Sequence, residues 1–557
     1  MDEKIQKQWM QWYEEIQTDE ELVGSDNDLS DQPSEHNEYN TDTEQSGDET
    51  VGIFPESPEI LTDRIPKFYG KDKTPWFKQK PPAPKGKTKA HNLVTNLPGV
   101  KSYAKNAKLF VTDTMINDIV KYTNLKLDLM RESYQRPRDC PPTDYDEMLA
   151  FTGILYMAGV KKAQHLNTEE MWKTDGTAPD FFIATMSKKR FHQLIQSIRF
   201  DDATKRHETS KIDNLTPIRQ FFETFVTNCK QAYSPGFYVT IDEMLEAFRG
   251  RCRFRQYIAN KPAKYGIKIY GLVDARTFFT SNFEIYAGKQ PEGPFQLKND
   301  AASVVLRLIE PISGTGRNVT TDNYFTSVPL ANSLLVNHRL TTIGTMRKNK
   351  PQIPRELLDV KNRPVRSSLF AYGEDSDENP NKCLLVSYVP KRNKNVLLLS
   401  TLHDDGKIDE DTGEAFKPEV ITDYNLTKGG VDVVDKMKSE YSTARFSNRW
   451  PYTVFCGLLN ISTINSQIIY RENTNNIITR RQFISELSKL LVMPYLYRRS
   501  QIPSLPYLLS QKIRNITGES PTPNRDQATQ VKVKWFPSPL EDSRMKHQKK
   551  KPSVQKF

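Results

Sequence analysis

Two short segments decide the fold: Ile267-Lys-Ile-Tyr-Gly-Leu-Val-Asp274 and Val319-Thr-Thr-Asp322. Each is a run of apolar or β-branched residues that ends in an aspartate, and this pattern is typical of a strand with an acid at its end. Between them, the residues from Ala301 to Leu308 have helical spacing. The order strand, helix, strand predicts an α/β core with carboxylates at its strand ends.

Four aspartates are candidate site residues. Asp274 and Asp322 end the two strands, whereas Asp432 and Asp435 open an amphipathic stretch and share one helical face because they are three residues apart. A lone aspartate at a strand end is usually a turn or capping residue. Four in these contexts favour a divalent metal pair, since hard cations prefer oxygen ligands. Two ions about 3.5–4 Å apart suit phosphoryl transfer, so we predict that Asp274, Asp322 and Asp432 converge.

A series of long motifs runs through most of the chain, from about Phe110 to Leu509. The motifs are Asp242-Glu243, Phe248-Arg-Gly-Arg-Cys-Arg-Phe-Arg-Gln-Tyr257, Asn260-Lys-Pro-Ala-Lys-Tyr-Gly-Ile-Lys268, Thr321-Asp-Asn-Tyr-Phe-Thr-Ser327, Ile343-Gly-Thr-Met-Arg-Lys-Asn-Lys350, Lys428-Gly-Gly-Val-Asp-Val-Val-Asp435 and Asn448-Arg-Trp-Pro451. In sequence and in order they resemble the piggyBac-type transposases. These motifs are long and rare, so the resemblance is specific.

The resemblance implies a fold, a site and a reaction. The fold would be α/β: an RNase H-like catalytic core interrupted by a β-rich insertion and flanked by a mainly helical dimerisation and DNA-binding domain. Asp274, Asp322 and Asp432 would be the catalytic and metal-binding aspartates, with Asp435 as a supporting catalytic acid. The cofactor would be two Mg²⁺ ions, with Mn²⁺ as a substitute. The reaction would free a 3′-hydroxyl at a transposon end, form a hairpin, and transfer the strand into TTAA target DNA.

Basic residues form the candidate DNA-binding surface. Arginines alternate from Arg249 to Arg255, and a period of two would place them on one face of an extended segment. Guanidinium groups match phosphate geometry, although a solvated charged face is the simpler interpretation. The candidate DNA-binding residues are Arg249, Arg251, Arg253, Arg255, Lys261, Lys264 and Lys268 and, through the resemblance, Arg347, Lys350, Arg445 and Arg449.

Charge divides the chain. Residues 1–60 hold 18 Asp and Glu but only two Lys, a net charge of −16, so the rest carries +26 of the total of +10. A positive body suits double-stranded DNA, because binding to phosphates releases counterions. With the terminal run Lys549-Lys-Lys551, the DNA partner predicts nuclear localisation. The basic linker from Lys78 to Lys89 is the alternative import signal.

The predicted organisation has seven segments, with helix starts at Thr112, Thr143 and Ser187. The segments are 1–104, disordered, acidic and then basic and Pro-rich; 105–266, the first part of the helical domain; 267–350, the first part of the catalytic core; 351–420, the β-rich insertion; 421–441, the start of the last core helix; 442–512, the second part of the helical domain; and 513–557, a disordered basic tail.

Several function classes find no support in the sequence. It has no apolar stretch long enough to span a membrane, no apolar secretory region at its start and no glycine-rich phosphate loop, so membrane insertion, secretion and a nucleotide cofactor are not expected. The five cysteines are widely spaced and are predicted to be reduced.

One departure from the family leaves an alternative open. Many members carry a cysteine-rich, DNA-binding zinc module at the end, and here no cysteine follows Cys456. The intact acids favour an active, dimeric transposase. The missing cysteines favour a domesticated, transposase-derived DNA- or chromatin-binding protein without transposition activity.

Overall fold

A mixed β-sheet of eleven strands is the main element of the structure, a computed structural model that describes residues 65–81, 94–101, 109–259, 261–374, 381–474 and 476–518. Its spatial order is β1-β2-β11-β12-β13-β10-β9-β5-β7-β6, and β8 also pairs with β7. The strands are β1 Lys67–Tyr69, β2 Pro75–Phe77, β5 Tyr238–Ala247, β6 Gln256–Tyr257, β7 Tyr265–Asp274, β8 Thr280–Ile285, β9 Asn318–Thr321, β10 Thr341–Thr345, β11 Ser368–Gly373, β12 Leu384–Lys391 and β13 Lys394–Ser400; β3 Gly99–Val100 and β4 Tyr233–Ser234 form a separate pair.

The middle of this sheet confirms the predicted α/β class. β9 is parallel to both β5 and β10, while β7 is antiparallel to β5. The helices Ala301–Leu308 and Val328–His338 lie between successive strands in the sequence and contribute to the same buried core. That core includes Val239, Ile241, Tyr270, Leu272, Val304, Val305, Leu308, Val319, Phe325 and Leu334.

The sheet extends beyond the predicted core boundaries on both sides. β5 belongs to the sheet although it precedes residue 267, because both of its edges are hydrogen-bonded to core strands. The predicted insertion also joins the sheet: β13 pairs with β10, and β12 and β11 follow outward. The strands of the insertion therefore continue the core sheet.

Residues 65–81 correct the prediction of a disordered basic linker. β1 and β2 form a hairpin, and β2 pairs with β11. The Trp76 side chain is completely buried, and its Nε1 donates to the Gln352 carbonyl at 2.9 Å. The Lys and Pro content of the segment predicts a solvated linker. The burial of Trp76 could not be predicted from it, because that burial depends on strands about 300 residues away in the sequence. Residues 1–64 lie outside the described residues.

A helical layer packs beside the sheet and combines distant parts of the chain. The Ser488 hydroxyl donates to the Gly153 carbonyl at 2.7 Å, which joins helices Tyr145–Val160 and Arg480–Ser500. The α-helices are Asp113–Arg131, Tyr145–Val160, Thr168–Met171, Asp180–Thr185, Lys188–Ser197, Arg206–Thr209, Arg219–Ala232, Ala301–Leu308, Val328–His338, Arg355–Leu358, Glu419–Thr427, Gly430–Glu440, Trp450–Thr474, Arg480–Ser500 and Tyr507–Thr517. In the described part of the chain, no helix has the length and apolarity needed to cross a bilayer.

The helix starts were largely predictable from local sequence. Thr112 and Ser187 accept hydrogen bonds from backbone N–H groups three residues later, as predicted. The second helix is capped by Asp144 rather than by Thr143. The last helix extends past residue 513, the predicted start of the disordered tail, because Ile513 is buried. The remainder of that tail, from residue 519, lies outside the described residues.

Candidate active site

Asp242 and Asp322 lie side by side at the edge of the sheet where β9 ends, while β5 continues past this point to Ala247. In the parallel pair β5 and β9, Ile241 is in register with Thr321, and each of these two residues is followed by an aspartate. Because side chains alternate between the two faces of a sheet, residues in matching register project from the same face. The sheet therefore brings together two carboxylates that are 80 residues apart in the sequence.

Asp432 reaches this edge on the helix Gly430–Glu440, which packs against β5. A Cβ at Gly430 would lie only 2.6 Å from the Thr240 hydroxyl oxygen, so the close approach requires glycine. The Thr240 hydroxyl also donates to the Thr427 carbonyl at 2.6 Å. These contacts fix the start of the helix, and Asp432 is an exposed residue in its first turn.

The electrostatics of the cluster show that its carboxylates repel one another. Burial raises the pKa of Asp242 to about 8, and the charges of Glu243, Asp322 and Asp432 contribute to the rise. Burial also raises the pKa of Asp322 to about 6, with a contribution from Glu243; backbone N–H donors and Arg347 oppose this rise. Shared negative charge that is only partly compensated is a feature of functional sites.

We expect Asp242→Asn to stabilise the metal-free protein, increasingly so at higher pH. The folded chain keeps the Asp242 proton up to about pH 8, whereas an unfolded chain releases it near about pH 4. The free energy of unfolding of the wild type therefore falls as pH rises through this window, whereas the Asp242→Asn variant, whose new side chain does not titrate, does not lose this stability. Calorimetry at about pH 5 and about pH 8.5 should show the melting-temperature advantage of the variant growing by about 2 °C or more. An advantage that shrinks with pH would contradict this interpretation.

Lys261 bridges the two acids of the helix Gly430–Glu440. Its ammonium lies 2.9 Å from Asp432 Oδ1 and 3.3 Å from Asp435 Oδ2, which confirms that the two carboxylates share one helical face. Burial alone would lower the pKa of Lys261, but Asp435, Asp432 and Asp242 raise it overall. In this structure, the lysine predicted to bind DNA neutralises part of the acid cluster.

Asp435 is held by a second, buried lysine. Lys438 Nζ lies 3.2 Å from Asp435 Oδ1 and 2.5 Å from Glu246 Oε1, and the Leu245 N–H donates to Asp435 Oδ2 at 3.3 Å. Burial would lower the pKa of Lys438, but its two carboxylate neighbours raise it overall. Asp435 therefore positions the helix on β5, and Lys438 and Glu246 extend this support.

The predicted convergence of Asp274 with Asp322 and Asp432 is wrong. β7 runs antiparallel to β5, so its last residue, Asp274, pairs with Val239. Val239 precedes Asp242 by three residues, a displacement of about 10 Å along an extended strand. Strand direction is the physical reason: the end of β7 lies beside the start of β5, away from the edge that carries the other acids.

Asp274 has local hydrogen-bond partners instead. Its carboxylate is completely buried and accepts N–H groups from Gly236 at 2.5 Å, Arg276 at 2.8 Å and Thr277 at 3.0 Å. This is the turn role that a lone strand-end aspartate commonly has. The structure therefore gives Asp274 a structural position and brings Asp242 into the acid cluster.

The sequence did contain a signal for Asp242. The run Tyr238-Val-Thr-Ile241 is followed by Asp242, just as Val319-Thr-Thr321 is followed by Asp322. Both runs are typical of a strand, and each is followed by an acid. The two acids meet because the strands are parallel and in register, so that Ile241 lies beside Thr321 where β9 ends, although β5 continues to Ala247.

The acid cluster fits a hard divalent cation, but it is not a preformed cage. Within the described ranges, no three Asp, Glu, His or Cys side chains are close enough to hold a metal ion as they stand. The salt bridges among its described residues engage Glu243, Asp432 and Asp435, and none engages Asp242 or Asp322. Repelling carboxylate oxygens without a salt-bridge partner are the groups that a cation would stabilise.

The chain is similar to known transposases in both sequence and fold. Residues 108–467, well over half of its length, match the family model described as Transposase IS4. The chain is 37% identical to the piggyBac transposase in a cryo-EM structure of its synaptic complex with hairpin DNA, with a TM-score of 0.70; the match covers 78% of this chain and 90% of that one. This chain belongs to the piggyBac transposase family.

The human relatives of this chain include a protein named as transposable element-derived. The chain is 24% identical over 355 residues to PiggyBac transposable element-derived protein 3 and to the Chimeric ERCC6-PGBD3 protein, both from Homo sapiens. The match covers 62% of this chain but only 57% and 32% of those two proteins. The chain thus spans a little over half the length of the first relative and about a third of the length of the second.

In this family member, the arginines from Arg249 to Arg255 lie on a loop. The residues between β5 and β6 are irregular, so the predicted extended stripe is wrong: the Arg255 guanidinium turns back to donate to the Arg249 and Gly250 carbonyls at 2.7 and 3.0 Å. All four arginines are exposed. They line a cavity of about 890 Å³ whose other walls include Asn214, Asn448 and Trp450.

Arg445 and Arg449 are used for internal structure. The Arg445 guanidinium donates to the carbonyls of Ala163 and Leu166, the latter at 2.9 Å. Arg449 donates to the carbonyls at the end of the helix Lys188–Ser197 and just beyond it. Both guanidinium groups thus satisfy backbone carbonyls of the helical layer, and this local role could not be seen in a basic motif.

The other predicted DNA-binding residues divide into exposed and paired groups. Lys264 and Arg347 are exposed, and Lys350 is half-buried. Arg347 also donates to Asn323 Oδ1 at 3.2 Å, beside Asp322. Lys268 lies 3.6 Å from Glu243 Oε2 and over the Tyr270 and Tyr324 rings. Arg347 is therefore placed to contact a phosphate near the acids, whereas Lys268 is already paired.

Proposed function

We propose that this chain is a metal-dependent DNA transposase whose reacting phosphate binds at Asp242, Asp322 and Asp432. The observation that supports this most directly is the pairing of Asp242 with Asp322 on parallel strands, with Asp432 within their electrostatic field. Uncompensated carboxylates at one sheet edge suit phosphoryl transfer, in which cations offset the charge of the substrate.

In this proposal, each acid has a defined part. Asp242, Asp322 and Asp432 would hold divalent cations, two Mg²⁺ ions or Mn²⁺, which when bound activate a water or terminal hydroxyl and stabilise the charge at phosphorus. Asp435, fixed by Lys438 and the Leu245 N–H, keeps the helix in place. Asp274 has no part in the chemistry.

The DNA steps follow the family. We propose that a homodimer brings two transposon ends together, where hydrolysis frees a 3′-hydroxyl at each end. This hydroxyl attacks the opposite strand, which forms a hairpin and releases the flanking DNA. Hydrolysis of the hairpin frees the 3′-hydroxyl again, and its attack on a TTAA target joins the strand and releases a 3′-hydroxyl of the target. The exposed Arg249 to Arg255 loop and Arg347 supply positive charge for the duplex. Sedimentation of the purified chain with end duplexes tests the dimer: we expect a complex of two chains with two duplexes, and a complex with the mass of a single chain and a single duplex would contradict it.

A second candidate function is DNA or chromatin binding without transposition. The human relatives are named as transposable element-derived and as chimeric proteins. Lys261 also pairs with Asp432 at 2.9 Å, so this acid has a protein partner. In this alternative the basic surface binds DNA, while the acids serve only the fold.

An excision assay distinguishes the two functions. A donor plasmid carries the genomic sequences that flank the gene on both sides, including any TTAA-bounded inverted repeats, and the full chain is added with Mg²⁺, with Mn²⁺ or with a chelator. We expect metal-dependent release of the insert with hairpin or 3′-hydroxyl ends. Tight binding of the ends without cleavage in either metal would overturn the transposase proposal and leave the DNA-binding one.

We also propose nuclear localisation, because the substrate is chromosomal. A reporter fused to the full chain should accumulate in the nucleus, and deletion of the Lys549-Lys-Lys551 run or of the Lys78 to Lys89 linker should identify the import signal. The lysine run lies outside the described residues, and so does the linker from residue 82 onward. Exclusion of the intact fusion from the nucleus would contradict the localisation and count against a chromosomal substrate.

A further inference from the structure

Phe446 is the most exposed large hydrophobic side chain in the described part of the chain, at 91%. It lies between the helices Gly430–Glu440 and Trp450–Thr474. Single exposed hydrophobic residues are common on protein surfaces. The surroundings of Phe446, rather than its exposure alone, make it informative.

The loop that presents Phe446 is anchored on both sides. Before it, the buried Thr443 binds Asn460 Oδ1 and the Cys456 carbonyl, each at 3.0 Å. Arg445 and Arg449, immediately before and shortly after Phe446, donate into the helical layer. The loop is therefore tied down at several points while the ring projects into solvent, which lowers the entropy cost of using the ring as a contact.

Positive charge lies near the loop that carries this ring. Asn448 and Trp450, two and four residues later, line the same cavity of about 890 Å³ as the four exposed arginines. The two loops are in contact, since a Cβ at Gly250 would lie 3.1 Å from the Asn448 carbonyl oxygen. The arginine loop continues through β6 toward Lys261, which contacts Asp432. The loop that carries the ring therefore borders the arginine loop, which leads along the sequence to the lysine at the acid cluster.

We propose that Phe446 is a wedge that stacks on an unstacked base of duplex DNA near the acid cluster, while the arginine loop holds the phosphates. An apolar ring beside guanidinium groups matches the chemistry of a distorted duplex: charge neutralisation binds the backbone, and the ring covers a base step that has opened. The occupant is DNA rather than a second protein chain because the loop that carries the ring borders a cavity lined by four exposed arginines. This inference rests on the proposed function and adds a residue that deforms the DNA.

The test uses short TTAA-containing duplexes with 2-aminopurine at successive positions. Binding of the full-length chain should raise the fluorescence at one step, because unstacking relieves quenching. Phe446→Ala should abolish that rise and weaken binding by about 10-fold, within the range measured for base–aromatic stacking. Phe446→Trp should keep both. The slope of binding against salt should stay the same in all three, since no charge changes.

Two control variants separate the ring from charge and from exposure. Arg251→Ala/Arg253→Ala/Arg255→Ala should flatten the salt slope yet keep the fluorescence rise once the DNA is saturated. Tyr507→Ala removes another exposed aromatic, 76% exposed and outside the cavity lining, and should change neither property.

Each remaining outcome overturns the wedge. If the wild-type chain binds no duplex, both the wedge and the proposed function fail. If it binds but Phe446→Ala behaves as wild type, the wedge alone fails. If Phe446→Ala changes the sedimentation of the free protein and leaves the fluorescence rise intact, the ring is a contact between protein chains instead.

Discussion

Asp242→Asn is expected to lower metal-dependent strand cleavage by about 10³-fold or more, because loss of a ligand removes several kcal/mol of transition-state stabilisation. Duplex binding should remain, since the basic surface is unchanged. Plasmid nicking and end cleavage measured at saturating DNA, with binding measured separately, give the two quantities. The variant should also bind Mg²⁺ more weakly in calorimetry, a readout that does not depend on activity.

Asp274→Asn is the matched control, and it should show the opposite pattern. The Asp274 carboxylate accepts three backbone N–H groups and is completely buried. The neutral amide accepts them less well, so the free energy of unfolding should fall by about 1–3 kcal/mol. Cleavage should stay near wild type at temperatures where the variant is folded. Loss of cleavage in folded Asp274→Asn, with activity kept in Asp242→Asn, would reverse the assignment.

Lys438→Met is expected to lower the free energy of unfolding by about 3–5 kcal/mol, the usual cost of leaving a buried charge without its partner. Lys438 is 4% exposed and lies between Glu246 and Asp435. Without the ammonium, two carboxylates would face each other beneath the acid cluster. Urea denaturation measures the change, and a loss under about 1 kcal/mol would show that water or another cation replaces the lysine.

The double variant Lys438→Met/Glu246→Gln separates charge from packing. It removes both members of the 2.5 Å pair, so much of the lost stability should return. Asp435 would still lack one of its two lysine contacts. If Asp435 positions the Asp432 helix, cleavage should remain reduced in the double variant while its stability recovers. Equal recovery of both would show that the network serves stability alone.

Features that depend on neighbours in the sequence were predictable. The caps at Thr112 and Ser187 follow from a side chain that bonds to an N–H three residues later. The pairing of Asp432 with Asp435 on one face follows from helical spacing, and Lys261 contacts both. The strands that end at Asp274 and directly before Asp322 also follow from short runs of residues. Long motifs fixed the family for the same reason, because they are contiguous.

Features that depend on the direction and pairing of distant segments needed the tertiary structure. Parallel pairing of β5 with β9 selected Asp242, and antiparallel pairing of β7 with β5 excluded Asp274. Arg445 and Arg449 donate hydrogen bonds to backbone carbonyls far away in the sequence. Trp76 is buried because β2 pairs with β11 and its Nε1 donates to the Gln352 carbonyl. By itself the sequence determined the family, the α/β class and most of the candidate acids. Only the tertiary structure decided which acids meet, because strand direction is set by hydrogen bonds between segments far apart in the chain.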